Sequence, residues 1–389
     1  MKKKILLLIV LSLFTLTGCN DVVNKEEKKE TVKQEESRTF NWFNDAEKLP
    51  TKEIILNDAN FKKDLKSCEE DYPSIKYFKD NVMYGECLNP WINNVIIETK
   101  GVFTYDIVTK KTNYYKYNNK KRIWNYVIKD EEIYYIEVSE NRGDDTFAWE
   151  LKKSSLTFTN PKTLAKGEVN GPDTLPVFIK SQENVDIYVV LINNKDSKDM
   201  QINSLNKIEN DELECLMTME GNRDKKVGEF LIFPNSTFKI KGNILTYSKF
   251  FNNKEIVYKM NLDTKETEEI YVNDEIDKWS LSEVLMTKEY YLLSYIGKEN
   301  SIKGKMLIID NSKNITLVNC NGSKKMGLID NETAIIELGD YYLGFSLKDK
   351  KFIYKYNIST NDYGLSLLDN NMLVVTNRKD KEIKYVSLK

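Results

Sequence analysis

The feature that most constrains the fold of this chain is a polar turn followed directly by a strongly apolar segment, which occurs seven times. The seven turns are Asn93-Asn94 before Val95, Asp130-Glu131 before Ile133, Glu183-Asn184 before Val185, Gly242-Asn243 before Ile244, Lys288-Glu289 before Tyr290, Gly339-Asp340 before Tyr341, and Asn370-Asn371 before Met372. Several of these pairs favour tight β-hairpins. Short runs rich in Ile, Val, Tyr and Phe surround them, and amphipathic helical periodicity is nearly absent. The pattern predicts an almost entirely β protein.

The apolar segments belong to a longer repeat. Three similar six-residue tails occur in the chain, namely Tyr105-Asp106-Ile107-Val108-Thr109-Lys110, Met260-Asn261-Leu262-Asp263-Thr264-Lys265 and Tyr356-Asn357-Ile358-Ser359-Thr360-Asn361. Further strand-like segments, Thr112 to Lys116 and Glu268 to Val272, follow two of these tails. A four-strand unit is therefore predicted to repeat, at a spacing mostly near the roughly 40 to 50 residues of a propeller blade.

We predict a β-propeller of about seven four-stranded blades, with six or eight also compatible, over residues 40–389. The last interval, from Tyr341 to Met372, is short by about one strand. Glu53 to Leu56 would supply the missing outer strand and so close the ring. A β-sandwich or two smaller β domains remains an alternative. One short helix is predicted near residues 57–70, where Phe61, Leu65 and Cys68 are spaced by four and three residues.

The repeats resemble those of bacterial periplasmic and surface propellers that carry an Asp-hydrophobic-x-Thr-Gly/Lys tail. The resemblance covers most of Asn81 to Lys389. The signatures of three named propeller types are absent, because the chain has no histidine or Trp-Asp pair for a WD40 blade, no kelch double glycine and no Ser-x-Asp-x-Gly-x-x-Trp sialidase box. The resemblance therefore assigns no subfamily.

The first residues follow the three-part plan of a secretory signal, with Lys2 to Lys4, the apolar run Ile5 to Leu16, and small residues before Cys19. The run is shorter than the about 20 residues that span a membrane. Leu16-Thr17-Gly18-Cys19 resembles the lipobox of bacterial lipoproteins. The resemblance implies cleavage before Cys19 and lipidation of its thiol with a diacylglycerol, whose acyl chains include palmitate. A plain signal peptide with a chance cysteine remains the alternative.

This resemblance predicts three regions: a signal peptide at residues 1–18, a charged flexible tether at 19–39, and the propeller at 40–389. The tether is mostly Lys, Glu, Asn, Gln and Thr, a composition that buries too little apolar surface to fold. Phe40, Trp42 and Phe43 mark the start of the folded part. The protein is expected to be exported and held by its lipid on the outer side of the cytoplasmic membrane, because two acyl chains anchor stably.

Composition excludes several function classes. The absence of histidine excludes Ser-His-Asp and Cys-His nucleophile systems, imidazole metal sites and histidine pH switches. Cys68, Cys87, Cys215 and Cys320 form no close redox or zinc pair, although Cys68 and Cys87 could be bridged. With 58 basic and 60 acidic residues and no basic block, nucleic acid is not an expected partner. No cofactor and no metal is predicted.

Carboxylates are the remaining acid–base groups. Asp144, Asp145 and Glu150 lie near Trp149, a residue type that stacks on sugars, and propeller glycosidases use acidic residues in this way. We favour the simpler interpretation, that these residues reflect an acid-rich chain in which Trp149 faces a blade interface. Arg142-Gly143-Asp144 is an adhesion-type tripeptide, but Gly-Asp is also ordinary turn chemistry.

Two further patterns have structural interpretations. Asp310-Asn311-Ser312-Lys313-Asn314 begins like a calcium loop but has Ile315 where that loop needs glycine and Asn321 where it needs glutamate, so a strand, a turn and a strand are predicted. In doubled tyrosines such as Tyr134-Tyr135, one ring is expected in the core and one outside.

The sequence predicts a membrane-anchored surface lipoprotein whose non-enzymatic propeller binds a protein or a glycan at the cell envelope. The motivation is the lipobox-like segment, the tether and the repeats, together with the lack of a recognisable catalytic set. The alternative is a carboxylate-based glycosidase or polysaccharide lyase. A solute-binding lipoprotein is disfavoured, because such proteins alternate strands and helices.

Overall fold

A computed structural model shows the chain as an all-β ring of antiparallel meanders, a β-propeller, as predicted. The structure describes residues 38–41, 45–52, 57–59, 72–89, 98–117, 121–141, 146–171, 174–179, 181–182, 186–194, 201–222, 227–228, 230–231, 238–299, 303–320, 323–338, 341–357, 363–368, 372–377 and 382–387. Helical structure in these residues is slight, and its one complete element is the 3-10 turn Ala46–Lys48. No helix in this part of the chain is long and apolar enough to span a membrane.

The strands form six hydrogen-bonded sheets. One of them is eight-stranded and consists of two successive four-strand meanders, which are joined through the pairing of Thr99 with Ile123. Counting sheets therefore gives six blades, one of them double, and counting four-strand meanders gives seven. Both counts lie within the predicted range. We number the meanders 1 to 7 in chain order.

The meanders consist of the following strands. Meander 1 contains β4 (Tyr72–Lys79), β5 (Val82–Asn89), β6 (Glu98–Asp106) and β7 (Thr112–Lys116). Meander 2 contains β8 (Arg122–Lys129), β9 (Glu132–Asn141), β10 (Thr146–Ser155) and β11 (Lys162–Asn170). Meander 3 contains β12 (Val177–Ile179), β14 (Ile187–Asn194), β15 (Gln201–Glu209) and β16 (Glu212–Asn222), with β17 (Val227–Gly228) at its edge.

The second half of the ring is built in the same way. Meander 4 contains β19 (Lys239–Lys241), β20 (Ile244–Phe251), β21 (Lys254–Asn261) and β22 (Thr267–Asn273), and the short strands β13 (Ser181–Gln182) and β18 (Phe230–Leu231) pair with it. Meander 5 contains β23 (Trp279–Met286), β24 (Tyr290–Gly297), β25 (Gly304–Asp310) and β26 (Ile315–Asn319). Meander 6 contains β27 (Ser323–Leu328), β28 (Thr333–Leu338), β29 (Tyr341–Ser346) and β30 (Lys351–Asn357). Meander 7 contains β31 (Tyr363–Leu368), β32 (Met372–Asn377) and β33 (Glu382–Ser387).

The N-terminal strands run along the outer edges of the last three meanders. β1 (Arg38–Asn41) pairs in parallel with β26, and β2 (Thr51–Lys52) pairs in parallel with β30. β3 (Asn57–Ala59) pairs antiparallel with β33 and so gives meander 7 its fourth strand. The two ends of the chain therefore close the ring together, as expected from the short last interval.

Two details of that expectation differ from the structure. The closing strand is Asn57–Ala59, whereas the predicted Glu53 to Leu56 lies outside the described residues. Asn57–Ala59 was also predicted to begin a helix, which is wrong, because pairing with the open edge of β33 outweighs a local helical spacing. The rest of that predicted helix, residues 60–70, lies outside the described residues.

The predicted turns Asp130-Glu131, Gly242-Asn243 and Lys288-Glu289 each join two antiparallel strands, and the other four predicted turns lie outside the described residues. We call the end of the ring that carries the connections between first and second and between third and fourth strands the turn end, and the opposite end the loop end. At the turn end Asp130 and Glu131 both have positive φ, 49° and 65°, which is the geometry of a type I′ hairpin. Asp211 accepts hydrogen bonds from Lys153 and Lys162, both at 2.9 Å, and so ties the turns of meanders 2 and 3 together.

Two of the three repeated tails form the same turn between third and fourth strands. The side chain of Asp106 accepts the backbone N–H of Val108 at 2.8 Å, and that of Asn261 accepts the N–H of Asp263 at 2.9 Å. The third tail differs, since Tyr356 and Asn357 end the fourth strand of meander 6. Asp310 forms a related turn between β25 and β26, so the strand–turn–strand prediction there is confirmed.

Hydrophobic clusters fill the junctions between neighbouring meanders, so both faces of a sheet are covered. Tyr134 packs in the junction with meander 3, and Tyr135 packs in the junction with meander 1. Both rings are buried, which corrects the prediction that one of each doublet lies outside. The prediction assumed one solvated face, whereas a propeller sheet packs on both sides.

The cysteines of the described residues fall into two groups. Cys87 and Cys215 each take part in a disulfide bond, and Cys320 is a buried free thiol. Burial raises the pKa of Cys320 to about 12, so the thiol stays protonated and unreactive. Cys19 and Cys68 lie outside the described residues.

Candidate functional site

The structure separates the residues that the sequence grouped as a sugar site. Trp149 is 2% exposed and packs in the junction of meanders 2 and 3, so its ring cannot stack on a sugar. Glu150, the next residue along β10, points to the opposite face of the sheet. Asp144 and Asp145, with the tripeptide that begins at Arg142, lie outside the described residues. The predicted interface role of Trp149 is confirmed, and its pairing with Glu150 in one site is wrong.

Glu150 belongs instead to a compact ion-pair network between meanders 1 and 2. Glu137 of β9 is 1% exposed and lies directly opposite Glu150 in the sheet. Lys152 approaches Glu137 at 2.5 Å and Glu150 at 3.1 Å. Lys121 approaches the same two carboxylates at 3.2 and 2.5 Å, and the Tyr117 hydroxyl donates to Glu137. Two carboxylates and two ammonium groups therefore neutralise each other inside the fold.

The pKa values of this network follow from its geometry. Burial alone would raise the pKa of Glu137, but hydrogen bonds from Lys152, Tyr117 and Lys121 outweigh it, and the pKa is lowered. The pKa of Glu150 is lowered chiefly by its hydrogen bond with Lys121. Both carboxylates are therefore held in the charged form, which removes either of them as a proton donor at neutral pH.

A second polar cluster lies at the loop end between meanders 4 and 5. Residues that stand directly opposite one another in a sheet share a face. In meander 4 these are Phe250, Glu255 and Asn273, and in meander 5 they are Leu281, Tyr295 and Lys305. The two rows face each other across the junction, because the ring of Tyr295 meets that of Tyr271 from β22 at a centroid distance of 6.1 Å.

Glu255 is the buried acid of this cluster, with 1% of its surface exposed. Its carboxyl group accepts hydrogen bonds from the Asn273 side chain at 3.3 Å and from the backbone N–H of Leu281. No lysine or arginine among the described residues lies within 4 Å of it. Burial raises the pKa of Glu255 to about 7, since the hydrogen bonds and the more distant Lys298 compensate only in part.

Lys305 is the basic group of the opposite row, and its side chain is 14% exposed. Its ammonium nitrogen lies 4.6 Å from the centre of the Trp279 ring and 5.2 Å from that of Tyr295, in cation–π geometry. Its nearest carboxylate is Glu275, at 3.8 Å. Burial lowers the pKa of Lys305, against the opposing effect of Glu275. Glu255 and Lys305 are thus each shifted toward the neutral form.

The loop of residues 274–278, which joins the two meanders, covers this cluster. Asn273 links the loop to the buried acid, because its side chain donates to Glu255 and accepts the backbone N–H of Glu275 at 3.2 Å. Glu275 in turn accepts a hydrogen bond from Lys278 at 2.8 Å. Asn273 therefore connects the buried carboxyl group to the backbone of Glu275, whose own side chain carries an exposed charge.

Perturbed acids and bases in a desolvated cluster are typical of functional sites. Here Glu255, an acid whose pKa is about 7, lies near Lys305, a cation over an aromatic ring, and the half-buried Trp279, all at the loop end. The sequence analysis did not single out Glu255, Asn273 or Lys305, and no local motif marks them. Their common feature is a position beside the loops of two neighbouring meanders. Among the described residues no group of acids and cysteines is arranged to hold a metal ion.

Comparison with known proteins assigns no family. No protein-family model matches the chain, and no curated protein matches it. A chain of the mitotic checkpoint complex is 8% identical at a TM-score of 0.48, with 96% of this chain and 99% of that chain covered. Pyrococcus horikoshii acylaminoacyl peptidase is 10% identical at a TM-score of 0.47, over 80% of this chain and 50% of that chain. The Cps50 (Swd1) β-propeller domain of Myceliophteria thermophila is 10% identical at a TM-score of 0.44, over 86% and 100%. The fold assignment rests on the strand pairing described above.

Proposed function

We propose that this protein is an exported lipoprotein, anchored through Cys19 to the outer side of the cytoplasmic membrane, whose propeller binds a protein or a glycan of the cell envelope without catalysis. The observation that carries the binding role is the loop-end cluster between meanders 4 and 5. There Trp279 and Lys305 lie beside the exposed Glu275 and Lys278. Aromatic rings beside charged groups are the surface chemistry of protein and sugar recognition.

The anchoring part of the proposal is supported by the sequence of the first residues. Leu16-Thr17-Gly18-Cys19 follows an apolar run too short to span a membrane, and a lipobox-like segment in this place fits a diacyl anchor. The first strand of the propeller begins at Arg38 on the outer edge of meander 5, so a tether between Cys19 and this strand would leave the ring at its rim.

The alternative of a carboxylate-based glycosidase or lyase receives less support. Glycosidases need an acid and a second carboxylate on either side of an accessible sugar. Glu150 and Glu137 are both ion-paired with lysines, and Glu255 is closed to solvent. These groups have structural partners that a substrate would need to displace.

The anchor and the binding role can be tested on the same protein. Full-length chain expressed in a bacterial host with radiolabelled palmitate should incorporate label in the membrane fraction, and its mature N-terminal peptide should begin at Cys19 with a diacylglycerol. Cys19→Ser should lose both label and membrane retention, while Cys320→Ser, which changes a buried free thiol, should keep them. Label retained in Cys19→Ser, or cleavage elsewhere, would overturn the anchor.

For the binding role, chain lacking residues 1–18 is applied to arrays of purified envelope polysaccharides and envelope proteins. Trp279→Ala should weaken binding at least about tenfold, as expected for an aromatic contact residue. Tyr290→Ala removes a half-buried ring at the turn end and should leave binding unchanged. Absence of binding to every probe would contradict the function, and equal binding by Trp279→Ala would contradict its location.

A further inference from the structure

We propose that Glu255 is a proton-operated latch: its protonated carboxyl group holds the 274–278 loop closed over the junction of meanders 4 and 5, and loss of the proton to solvent releases the loop and exposes Trp279 and Lys305. The latch goes beyond the proposed function, and its test requires neither a lipid anchor nor a ligand.

The first reason is the position of Glu255 between two separately folded meanders. Its side chain projects from β21, and it accepts the backbone N–H of Leu281 from β23 of the next meander. Leu281 lies beside a register shift in the pairing of β23 with β24, so the hydrogen bond meets an irregular point of that strand. A carboxyl group placed here links the two meanders directly.

The second reason is that the site accommodates a neutral acid better than an anion. The buried hydroxyls of Tyr295, on the facing row, and of Ser248, on the Glu255 side, donate no hydrogen bond to Glu255 and so do not stabilise its charged form. No ammonium group of the described residues forms an ion pair with Glu255. An ionised Glu255 would therefore be buried with two hydrogen-bond donors, the Asn273 side chain and the Leu281 N–H, and with no counter-ion among the described residues. This burial costs free energy until water reaches the carboxylate.

The charged and titratable groups around Glu255 do not remove this cost. Tyr271 of β22, Tyr295 of β24 and Lys298 after β24 interact electrostatically with it, and the elements packed around it also carry Lys305 of β25 and Asp274, Glu275 and Lys278 of the loop. At this level β20 and β23 contribute Phe250 and Leu281, which do not titrate. The ammonium group of Lys305 lies over Trp279 and Tyr295, and Lys278 pairs with Glu275. Lys305 and Lys278 are therefore held by other partners, and Lys298 lowers the pKa of Glu255 too little to offset its burial.

The third reason is the connection from the acid to the loop. The Asn273 side chain joins the carboxyl group of Glu255 to the backbone N–H of Glu275. The loop is also closed by its own bonds, since the N–H groups of Lys278 and Trp279 donate to the carbonyl of Glu275 at 2.9 and 3.0 Å. When Glu255 takes up water and moves, Asn273 loses its fixed orientation, and the start of the loop loses its attachment.

The sign of the effect follows from proton linkage. With the latch closed, Glu255 keeps its proton up to about pH 7, whereas in the open, hydrated state it ionises near the ordinary glutamate value of 4.5. Opening therefore releases a proton between these two values and becomes more frequent as the pH rises through that window. Above the window the opening constant is level again.

Hydrogen–deuterium exchange read by mass spectrometry tests the latch on chain lacking residues 1–18. Protection factors for residues 274–281, corrected for the intrinsic pH dependence of amide exchange, should fall about fortyfold between pH 5 and pH 7. Glu255→Gln keeps the shape and the neutral charge of the protonated acid, and should hold high protection at both pH values. Asn273→Ala should give low protection at both.

A matched control and the contrary results complete the test. Glu289→Gln changes an exposed carboxylate at the turn end and should reproduce the wild-type pH dependence. Wild-type protection that does not change with pH would overturn the proposal. So would a pH dependence retained in Glu255→Gln, since it would assign the titration to another group such as Lys305.

Discussion

The junction of meanders 1 and 2 and the junction of meanders 4 and 5 place different side chains at the same three strand positions. In the first the cross-strand row is Ile123, Glu137 and Glu150, and in the second it is Leu281, Tyr295 and Lys305. In both rows the residue on the first strand, Ile123 or Leu281, lies just before a register shift in the strand pairing. The backbone is thus equivalent, and the difference lies in the side chains.

That difference decides whether the buried charges are balanced. At the first junction Lys121 and Lys152 both reach Glu137 and Glu150, so every charge has a partner within 3.2 Å. At the second, Glu255 has no ion-pair partner among the described residues, and Lys305 has a distant one. A closed network stabilises one conformation, whereas groups shifted toward neutrality can respond to pH or to a ligand. One scaffold therefore carries a structural junction and a candidate functional one.

The largest effect is expected from breaking the closed network. Glu137→Ala should lower the free energy of unfolding by about 3–4 kcal/mol, because it removes the buried carboxylate that both lysines contact, leaves Lys121 and the half-buried Lys152 to share Glu150, and opens a cavity. Urea denaturation at pH 7 measures this. Glu289→Ala, at an exposed carboxylate, should change stability by no more than about 0.5 kcal/mol. A loss below about 1 kcal/mol for Glu137→Ala would mean that the network is not needed for stability.

At the second junction, removing the buried acid is expected to raise the free energy of unfolding at neutral pH. Because the folded protein keeps a proton on Glu255 up to about pH 7, its stability should fall as the pH rises from about 4.5 to 7. Glu255→Gln has no such proton and should be more stable than wild type at pH 7.5 by about 2–3 kcal/mol, with equal stability near pH 4.5. Thermal unfolding across this range checks the sign, and a less stable variant at pH 7.5 would contradict it.

The smallest effects come from a matched pair of tyrosines. Tyr117→Phe removes a hydrogen bond to the ionised Glu137 and should cost about 1–2 kcal/mol. Tyr295→Phe removes a buried hydroxyl that has no partner among the described residues, and should be neutral or stabilising by up to about 1 kcal/mol. Urea denaturation of both variants compares them directly. Similar losses of stability in the two variants would contradict the proposed difference between the two junctions.

The sequence predicted much of the fold because its signals are local. Tight turns such as Asp130-Glu131 fix a hairpin through a few residues, and the tails at Asp106 and Asn261 form the same side-chain-capped turn in two meanders. Closure by the N-terminus followed from a missing strand in the last repeat. The sequence did not identify which segment closes the ring, because several short segments before Tyr72 could pair with the open edge of β33.

The candidate site could not be predicted in the same way. Glu255 is one of 60 acidic residues, and alternation along β21 places it on one face without showing what that face meets. Trp149 and Glu150 illustrate the failure, since neighbours in sequence point into different junctions. Both faces of each sheet are buried, so hydrophobic alternation carries little information about position.

The sequence by itself determined the β class, the repeat and the turns of this protein, because each depends on contacts within one hairpin or one meander. The signal-like first residues are also defined locally. Only the tertiary structure decided which acid has its pKa raised by burial and which is ion-paired, because desolvation depends on the side chains that a neighbouring meander brings. Glu137 meets Lys152 of its own sheet and Lys121 just before β8, whereas Glu255 meets no lysine among the described residues, and the burial of both acids is completed only when the meanders pack.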